Sequence, residues 1–252
     1  MKSGIFLSVR EKATRFPGKV LKPLGGQTLT AFLIGRLKTT ANADFVVLTT
    51  STDPRDGVLC DIAEAEGVLS FRGSPDDKLL RYRDAARAFG LDYAVIVDGD
   101  DPFVSIEHID RIIAHNMDHS IDFTTCGDLP LGATGFGLSR GALELICDER
   151  PEQDTEVWGS LFLDDPRFTC ATLHEPDEGY RRPDIRMTLD YPEDYEFFLM
   201  VSDALAAAGR PVDFSAIMTF LKENPGVVKI NQGVQEKYER HLNQSATNSS
   251  VG

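Results

Sequence analysis

Strand-like and helix-like segments alternate along the first 125 residues of the chain, and this alternation limits the possible folds more than any other feature. Apolar runs predict five buried strands, and the segments between them have apolar residues at helical spacing. This order predicts an α/β fold with a mostly parallel central sheet and helices on both faces. In such a sheet, ligands bind at the carboxyl ends of the strands. The predicted strands lie at 5–9, 45–48, 67–71, 93–97 and 121–125.

The second half of the chain is less regular, with an antiparallel strand predicted at 133–138. A short strand at 185–189 should end just before Asp190. Residues 1–234 have no internal repeat or linker and form one predicted domain, whereas the polar residues 235–252 predict a disordered tail. Further helices are predicted at 140–147, 153–162, 192–208 and 212–223, and a further strand at 168–173.

The first predicted strand leads into a loop with four basic side chains, Arg10, Lys12, Arg15 and Lys19. Several Arg and Lys side chains and backbone N–H groups together can bind a polyphosphate. The loop lacks the first glycine and the Ser or Thr of a Walker A sequence, which argues against an ordinary P-loop. We therefore predict a polyphosphate site of another kind at the end of the first strand.

The basic loop contrasts with the overall charge of the chain, which is strongly negative. The 252 residues have a formal net charge of −14, which argues against nucleic acid or an anionic membrane as the main partner. No apolar run is long enough to cross a bilayer, and the N-terminal segment does not match a signal peptide. The four cysteines form no Cys-x-x-Cys pair. We therefore expect a cytoplasmic protein with reduced thiols.

Acidic residues follow two of the predicted strands. Asp98, Gly99 and Asp100 come directly after the fourth strand, and Asp190 follows the short strand at 185–189. A carboxylate at the end of a strand can hold Mg²⁺, and a glycine beside it allows a ligand to come close. Helix capping is the alternative role for such acids. Two such carboxylates together with the basic loop suit nucleotidyl transfer, provided that they share one cavity.

Four motifs in the chain, in this order, resemble those of the CMP-sugar cytidylyltransferases. The resemblance covers about residues 4–200 and is strongest to the spore-coat polysaccharide branch, with a looser similarity to 3-deoxy-manno-octulosonate cytidylyltransferase. The motifs are Arg10 with Arg15-Phe-Pro-Gly-Lys19, Phe71-Arg-Gly-Ser74 with Asp77, Gly99-Asp100-x-Pro102, and Thr188-Leu-Asp190-Tyr-Pro-Glu-Asp194.

This resemblance implies a Rossmann-like nucleotidyltransferase fold, with residues 1–234 as a single nucleotidyltransferase domain. It also implies a homodimer that uses CTP and Mg²⁺ to transfer CMP to an anionic acceptor, a sugar acid, phosphate or phosphonate, with release of pyrophosphate. Arg10, Arg15 and Lys19 would bind the CTP phosphates as catalytic residues, and Asp100 and Asp190 would hold the metal. The other implied nucleotide-binding residues are Leu7, Ser8, Arg72, Gly73, Ser74, Asp77, Asp98 and Gly99.

The acceptor side is less well defined by the sequence. Relatives in the same branch have Glu-His-Val-Thr-Pro where this chain has Glu-Val-Trp-Gly-Ser at 156–160, so the acceptor pocket is expected to differ. Basic residues in the second half suit an anionic acceptor, although the pattern favours an exposed basic surface over an acceptor site. The candidate acceptor-binding residues are Arg140, Glu156, Tyr180, Arg181 and Arg186.

Two other classes of function are compatible with parts of the sequence. Gly137-Leu-Ser139-Arg-Gly141 matches the Gly-x-Ser-x-Gly motif of α/β-hydrolases, which requires a buried strand before the serine. A nucleotide-binding regulator without turnover is the second alternative. A regulator would bind CTP without releasing pyrophosphate, and a hydrolase would react with a fluorophosphonate at Ser139.

Overall fold

Strands and helices alternate in the structure much as the sequence predicts. The computed structural model describes residues 1–152, 155, 158–235 and 237. The strands are β1 (Ser3–Ser8), β2 (Pro23–Leu24), β3 (Gln27–Thr28), β4 (Phe45–Ser51), β5 (Leu69–Gly73), β6 (Tyr93–Asp98), β7 (Phe123–Gly127), β8 (Phe136–Ser139) and β9 (Cys170–His174). The α-helices are α1 (Leu29–Leu37), α2 (Gly57–Ala65), α3 (Lys78–Phe89), α4 (Ile106–His119), α5 (Arg140–Asp148), α6 (Ser160–Leu163), α7 (Pro192–Ala207), α8 (Phe214–Glu223) and α9 (Pro225–Val228).

Seven of these strands form one sheet in the order β5-β4-β1-β6-β8-β7-β9. β1 pairs in parallel with β4 and β6, β4 pairs in parallel with β5, and β7 pairs in parallel with β9. β8 runs antiparallel to both of its neighbours, β6 and β7. The predicted α/β class, with a mostly parallel sheet, is confirmed, and so is the predicted antiparallel strand.

Buried apolar side chains form three clusters that hold the helices in place. One face of the sheet packs against α1, α2 and α4, and the other face packs against α3, α5 and α6. A third cluster joins α7 and α8 to the segment before Asp190 and to Phe103, whose ring lies 4.7 Å from that of Phe198. The segment that leads to Asp190 is therefore anchored by burial outside the sheet.

The helices begin where the sequence places short polar side chains. The Thr28 hydroxyl accepts a hydrogen bond from the Ala31 N–H at the start of α1, and Asp77 and Ser105 cap α3 and α4 in the same way. Such caps satisfy N–H groups that have no partner within the helix. These caps fix where α1, α3 and α4 begin.

The strand predicted at 185–189 is wrong. This segment forms a single bridge between Leu131 and Arg186, and it belongs to no strand of the described sheets. Its apolar side chains are buried in the third cluster, and Arg186 and Thr188 line a cavity on the other side. The alternation of apolar and polar residues therefore reflects an extended backbone that lies between a core and a cavity. It does not indicate a strand that pairs with neighbours in a sheet.

Two further predictions fall partly on residues beyond those described. Within the predicted helix at 153–162, the structure has a helix at Ser160–Leu163, and positions 153, 154, 156 and 157 lie outside the described residues. In the predicted tail, Gln235 accepts a hydrogen bond from Arg186, and the Lys237 ammonium lies 2.5 Å from a Glu193 carboxylate oxygen. The rest of the predicted tail lies outside the described residues.

No described helix combines the length and the apolar character that crossing a membrane requires.

The turn after β6 depends on close packing at Gly99. A Cβ atom at this position would lie 2.6 Å from the Cβ of Val9, a distance shorter than any ordinary carbon contact. The Gly99 N–H also donates to the Ser8 carbonyl at 2.8 Å, so the ends of β1 and β6 are joined directly.

We expect Gly99→Ala to lower the free energy of unfolding by about 1–3 kcal/mol, because the added methyl group has no room beside Val9. Gly35→Ala is the matched control, since Gly35 is exposed within α1 and has nothing within 4 Å of a built Cβ. This control should raise the free energy of unfolding by about 0.5–1 kcal/mol. Urea titration of both variants measures the two effects, and an equal response would contradict the packing argument.

Candidate functional site

A cavity of about 760 Å³ opens at the carboxyl ends of β1 and β6. Ser8 and Asp98, the last residues of these two strands, are neighbours in the parallel ladder and both line it. The loop after β1 forms one side, and the start of α3 and the connection between β7 and β8 form two others. The cavity therefore lies where a parallel sheet places its ligand sites.

Charged side chains line this cavity densely, with more cations than anions. Seven basic and five acidic residues border it, although the whole chain has a net charge of −14. The local balance therefore favours an anionic ligand. The basic residues are Arg10, Lys12, Arg15, Lys19, Lys78, Arg81 and Arg186, and the acidic residues are Asp76, Asp98, Asp100, Asp101 and Asp190.

Lys19 lies at the centre of the charged groups. Gly18 adopts a left-handed conformation with φ 67°, and Lys19 then begins a short 3₁₀ turn that points its side chain inward. Its ammonium donates to Asp100 at 2.7 Å, to the Leu189 carbonyl at 2.5 Å and to Asp190 at 3.2 Å. Burial alone would lower the pKa of Lys19, but the two carboxylates outweigh that effect and raise it. The side chain is therefore a cation.

Asp190 is surrounded by three basic side chains. Its Oδ1 atom accepts from Lys19 and from Arg15, whose Nη2 is 2.5 Å away, and its Oδ2 atom accepts from Arg186 at 2.7 Å. Burial would raise the pKa of this carboxyl group, but Lys19 and the two arginines more than reverse that and lower the pKa to about 2. Asp190 is therefore ionised, and both of its oxygens are held in place.

A second layer of hydrogen bonds orients Asp190 from behind. Asp194, in the first turn of α7, accepts the Asp190 N–H at 2.9 Å and the Arg186 Nε at 3.0 Å. Asn231 donates its amide to Asp194 at 3.0 Å and to the Arg186 carbonyl at 3.1 Å. All four side chains are almost fully buried. Asp194 ends the fourth sequence motif but was not among the predicted site residues, and no local pattern pointed to Asn231.

The turn after β6 contributes two further carboxyl groups with different surroundings. Asp100 is 28% exposed at its side chain, and its backbone carbonyl accepts from the Leu189 N–H at 2.8 Å. Asp101 is buried, and its Oδ1 atom has no hydrogen-bond partner within the described part of the chain. Burial, reinforced by the nearby Asp100 and Asp98, raises the pKa of Asp101 well above its usual range. Asp100 is therefore the more accessible of the two.

The structure brings many of the predicted site residues together and places others elsewhere. Leu7 is buried in the cluster under α1 and does not reach the cavity. Arg72 points away from it and donates to the backbone carbonyls of Ser51 and Asp53. The predicted site residues that border the cavity are Ser8, Arg10, Arg15, Lys19, Asp98, Gly99, Asp100, Arg186 and Asp190.

Three predicted nucleotide-binding residues do not line the cavity but lie next to residues that do. Gly73 ends β5, the Ser74 hydroxyl donates to Glu152, and Asp77 accepts from the Leu80 N–H and the Thr155 hydroxyl. Asp77 therefore caps α3, which places Lys78 and Arg81 at the cavity. Basic residues three positions apart at the start of a helix are a sequence signal for these two side chains, although neither was among the predicted site residues.

Most of the predicted acceptor-binding residues are not at the cavity. Arg140 begins α5 and pairs with Asp92 at 3.3 Å, at the sheet edge where β6 starts. The Tyr180 ring packs against Phe214, and Arg181 donates to the Glu175 carbonyl at 2.7 Å. Contrary to the prediction, these three residues therefore do not lie at the cavity. Arg186 is the predicted acceptor-binding residue that lines it. Glu156 lies outside the described residues.

Ser139 also lies at the sheet edge opposite the cavity. It pairs with Tyr93, the first residue of β6, and its hydroxyl donates to Asp122 at 2.8 Å. The same oxygen accepts from the Ala142 N–H and so caps α5. A hydrolase nucleophile instead requires a free, exposed serine hydroxyl beside the ligand cavity, whereas this hydroxyl is engaged by Asp122 and by the helix it caps. The position of Ser139 therefore does not support the hydrolase alternative.

Comparisons with known proteins show which family and which fold this chain shares. The family model described as cytidylyltransferase matches residues 5–210. The Bacillus subtilis (strain 168) spore coat polysaccharide biosynthesis protein SpsF is 30% identical over 87% of this chain and 93% of its own length. A solved cytidylyltransferase from Leptospira borgpetersenii is 26% identical, with a TM-score of 0.80 over 90% of this chain and 97% of that one.

A more distant solved structure has the same fold. It is a CMP:2-keto-3-deoxy-manno-octonic acid synthetase in complex with CTP. Its TM-score is 0.64 and its identity 16%, over 82% of this chain and all of the other. The predicted Rossmann-like nucleotidyltransferase fold and the resemblance to the family are thus both confirmed.

The charged surroundings of Asp190 predict a pH dependence of stability. Its pKa falls from 3.8 to about 2 in the folded protein, so the ionised form is stabilised by about 2 kcal/mol. This contribution is complete above pH 4–5 and is lost as the pH falls through 3.8 towards 2. Urea unfolding of wild type and Asp190→Asn over this range should show their difference shrinking by about 2 kcal/mol. A difference that stays constant with pH would contradict the assignment.

Proposed function

The chain belongs to the cytidylyltransferase family, and we propose that it transfers CMP from CTP to an anionic small-molecule acceptor with release of pyrophosphate. As a family member, it is a CTP-dependent nucleotidyltransferase. The observation that supports the full reaction is the contact of Lys19 with Asp100 and Asp190 inside one cavity. These three side chains come from chain segments far apart in the sequence, and the fold brings them to the carboxyl edge of the sheet.

In the proposed reaction, an oxygen of the acceptor attacks the α-phosphorus of CTP, and the bond to pyrophosphate breaks. Arg10, Arg15 and Lys19 surround the space in which the triphosphate would bind. Negative charge builds up on the departing pyrophosphate, and fixed cations in a buried site stabilise that charge strongly. Lys19, held by two carboxylates, is the best placed of the three to leave one partner and contact a phosphate oxygen.

The residues at the centre also fit a divalent metal ion. The Lys19 ammonium already bridges Asp100 and Asp190, so one cation can contact both carboxylates. No group of three or more metal-ligating side chains occurs among the described residues. Mg²⁺ commonly uses one or two carboxylates and takes its other ligands from phosphates and water, so two aspartates are sufficient.

We therefore propose that Asp100 and Asp190 hold Mg²⁺ when CTP binds. A bound divalent ion would polarise the phosphoryl oxygens and offset their charge. The protein's own contribution is the fixed position of Asp190, whose oxygens are held by Arg15 and Arg186. Asp100 is more exposed and sits on the tight turn at Gly99.

The excess of cations in the cavity favours an acceptor with its own negative charge. The connection between β7 and β8 adds a side without charged residues, including Leu131, Gly132 and Thr134. A polyhydroxylated acid suits this combination, because its carboxylate or phosphate can face Arg186 while the rest contacts neutral groups. The relative named for 2-keto-3-deoxy-manno-octonic acid supports a sugar acid, and a sugar phosphate or a phosphonate would present the same kind of anionic group. We also propose that the protein is cytoplasmic and forms a homodimer. Sedimentation can test whether it is a dimer.

The proposal predicts pyrophosphate release from one nucleotide with one class of acceptor. A screen should cross the four nucleoside triphosphates with sugar acids, sugar phosphates and phosphonates in the presence of Mg²⁺. We expect release with CTP and an anionic acceptor. Lys19→Ala should lower kcat by roughly 10²–10³-fold and change the acceptor KM much less, because its main role is in the transition state.

Asp100→Asn and Asp190→Asn should each abolish most of the turnover while the circular dichroism spectrum stays that of the wild type. Lys38→Ala and Asp184→Asn are matched controls, since both side chains contact partners away from the cavity. Near-normal rates in both aspartate variants would reject the metal assignment. Tight CTP binding without pyrophosphate release with any acceptor would indicate a regulator instead.

The hydrogen-bond layer behind Asp190 gives a second prediction. Asn231→Ala removes two buried hydrogen bonds that orient Asp194 and Arg186, so kcat should fall about 10-fold and the Mg²⁺ concentration needed for half-maximal rate should rise. Asn224→Ala is the control, because the Asn224 amide donates to the Phe220 carbonyl in the same part of the chain. If both variants lose stability equally and keep the wild-type Mg²⁺ dependence, Asn231 has no orienting role.

A further inference from the structure

The Arg81 guanidinium is buried beside the cavity with two of its three nitrogens unpartnered. Arg81 lies in the second turn of α3, is 0% exposed and borders the cavity. Its Nη1 atom donates to the Ser74 carbonyl at 2.8 Å. Its Nε and Nη2 atoms have no hydrogen-bond partner within the part of the chain that the structure describes. Such a group in a folded protein requires a physical explanation.

The two unpartnered nitrogens form one edge of the planar guanidinium group. This edge presents two parallel N–H donors, and it matches two oxygens of a carboxylate or a phosphoryl group. The third nitrogen is fixed by Ser74, which limits rotation of the group. Gly73 lets α3 approach this closely, since a Cβ atom there would lie 3.0 Å from the Arg81 Cγ. The edge is therefore preorganised for a bidentate anion.

Arg81 differs in its surroundings from the other buried cations of the cavity. Lys19 and Arg186 each contact two carboxyl groups or more at short distance. Arg81 has no ion pair with any described residue, and its guanidinium carbon lies 5.8 Å from the centre of the Tyr82 ring. Burying a charge without an anion is unfavourable, so the compensating charge is expected to come with a ligand.

We propose that Arg81 binds an oxyanion of a substrate, which presents two oxygens to the Nε and Nη2 edge. The oxyanion is either a phosphoryl group of the nucleotide or the carboxylate or phosphate of the acceptor. The identity of these ligands rests on the function proposed above, whereas the existence of an oxyanion site at Arg81 does not. This site lies on the α3 side of the cavity, separate from the basic loop after β1.

The test compares Arg81→Gln and Arg81→Lys with the wild type. Calorimetric titrations with CTP and with inorganic pyrophosphate measure the nucleotide side, and the acceptor KM measures the other. Arg81→Gln should weaken one of these by roughly 10- to 100-fold, since hydrogen bonds between charged groups are involved. Arg81→Lys should lie between, because an ammonium group cannot bind in a bidentate way. Arg87→Gln is the control on the same helix, where Arg87 pairs with the exposed Glu144.

The outcomes distinguish the nucleotide from the acceptor as the source of the oxyanion. They also distinguish a failure of the oxyanion site from a failure of the proposed function. Weaker binding of CTP and pyrophosphate assigns the site to the nucleotide, and a higher acceptor KM with unchanged CTP affinity assigns it to the acceptor. Unchanged values in a folded, active Arg81→Gln variant overturn the proposal. A wild type that releases no pyrophosphate, but binds it more tightly than Arg81→Gln does, would reject the proposed function and support the oxyanion site.

The melting temperature provides a further test, because an arginine with a purely structural role would affect it differently. Arg81→Met removes an uncompensated buried charge, so the Tm of the ligand-free protein should rise by about 2–4 °C. The gain in Tm on adding pyrophosphate or CTP should shrink in the same variant. A lower ligand-free Tm together with wild-type affinities would show that Arg81 serves packing alone, and would overturn the proposal.

Discussion

The contact of one buried lysine with two aspartates holds the site together. Lys19 follows the first strand, Asp100 follows the turn at the end of β6, and Asp190 precedes α7. A buried ammonium group is tolerated because these two carboxylates compensate its charge. The ionised form of Asp190 is stabilised in return, as its low pKa shows. The same charges would be free to exchange partners when a phosphate arrives, with little change in the total number of ion pairs.

Seven of the 26 basic side chains of this acidic chain border one cavity. Outside it, exposed acids keep the surface negative, which suits solubility and disfavours polyanionic partners. Inside it, basic side chains exceed acidic ones, and burial strengthens every interaction among them. A small anion can enter such a cavity, whereas an extended polyanion would meet the negative exterior first.

Local patterns were sufficient to predict the sheet and the centre of the site, but they could not show everything that surrounds it. Lys19, Asp100 and Asp190 follow strand-like segments, and the ends of parallel strands meet at one edge of a sheet whatever their separation in sequence. Arg81 and Asn231 do not follow strand-like segments, and their roles depend on tertiary packing around buried groups. The failed strand before Asp190 has a related cause, since an extended segment between a core and a cavity has the same period as a strand.

The reversed direction of β8 has a consequence for how this protein can diversify. Because β7 and β8 run in opposite directions, the connection between them turns at the same edge as the cavity. The backbone of this connection is tied by the Leu131–Arg186 bridge to the segment before Asp190, whereas the Leu131 side chain is exposed at the cavity. New substrate preferences can thus arise through exposed side chains of this connection, while its backbone pairing keeps Arg186 and Asp190 in place.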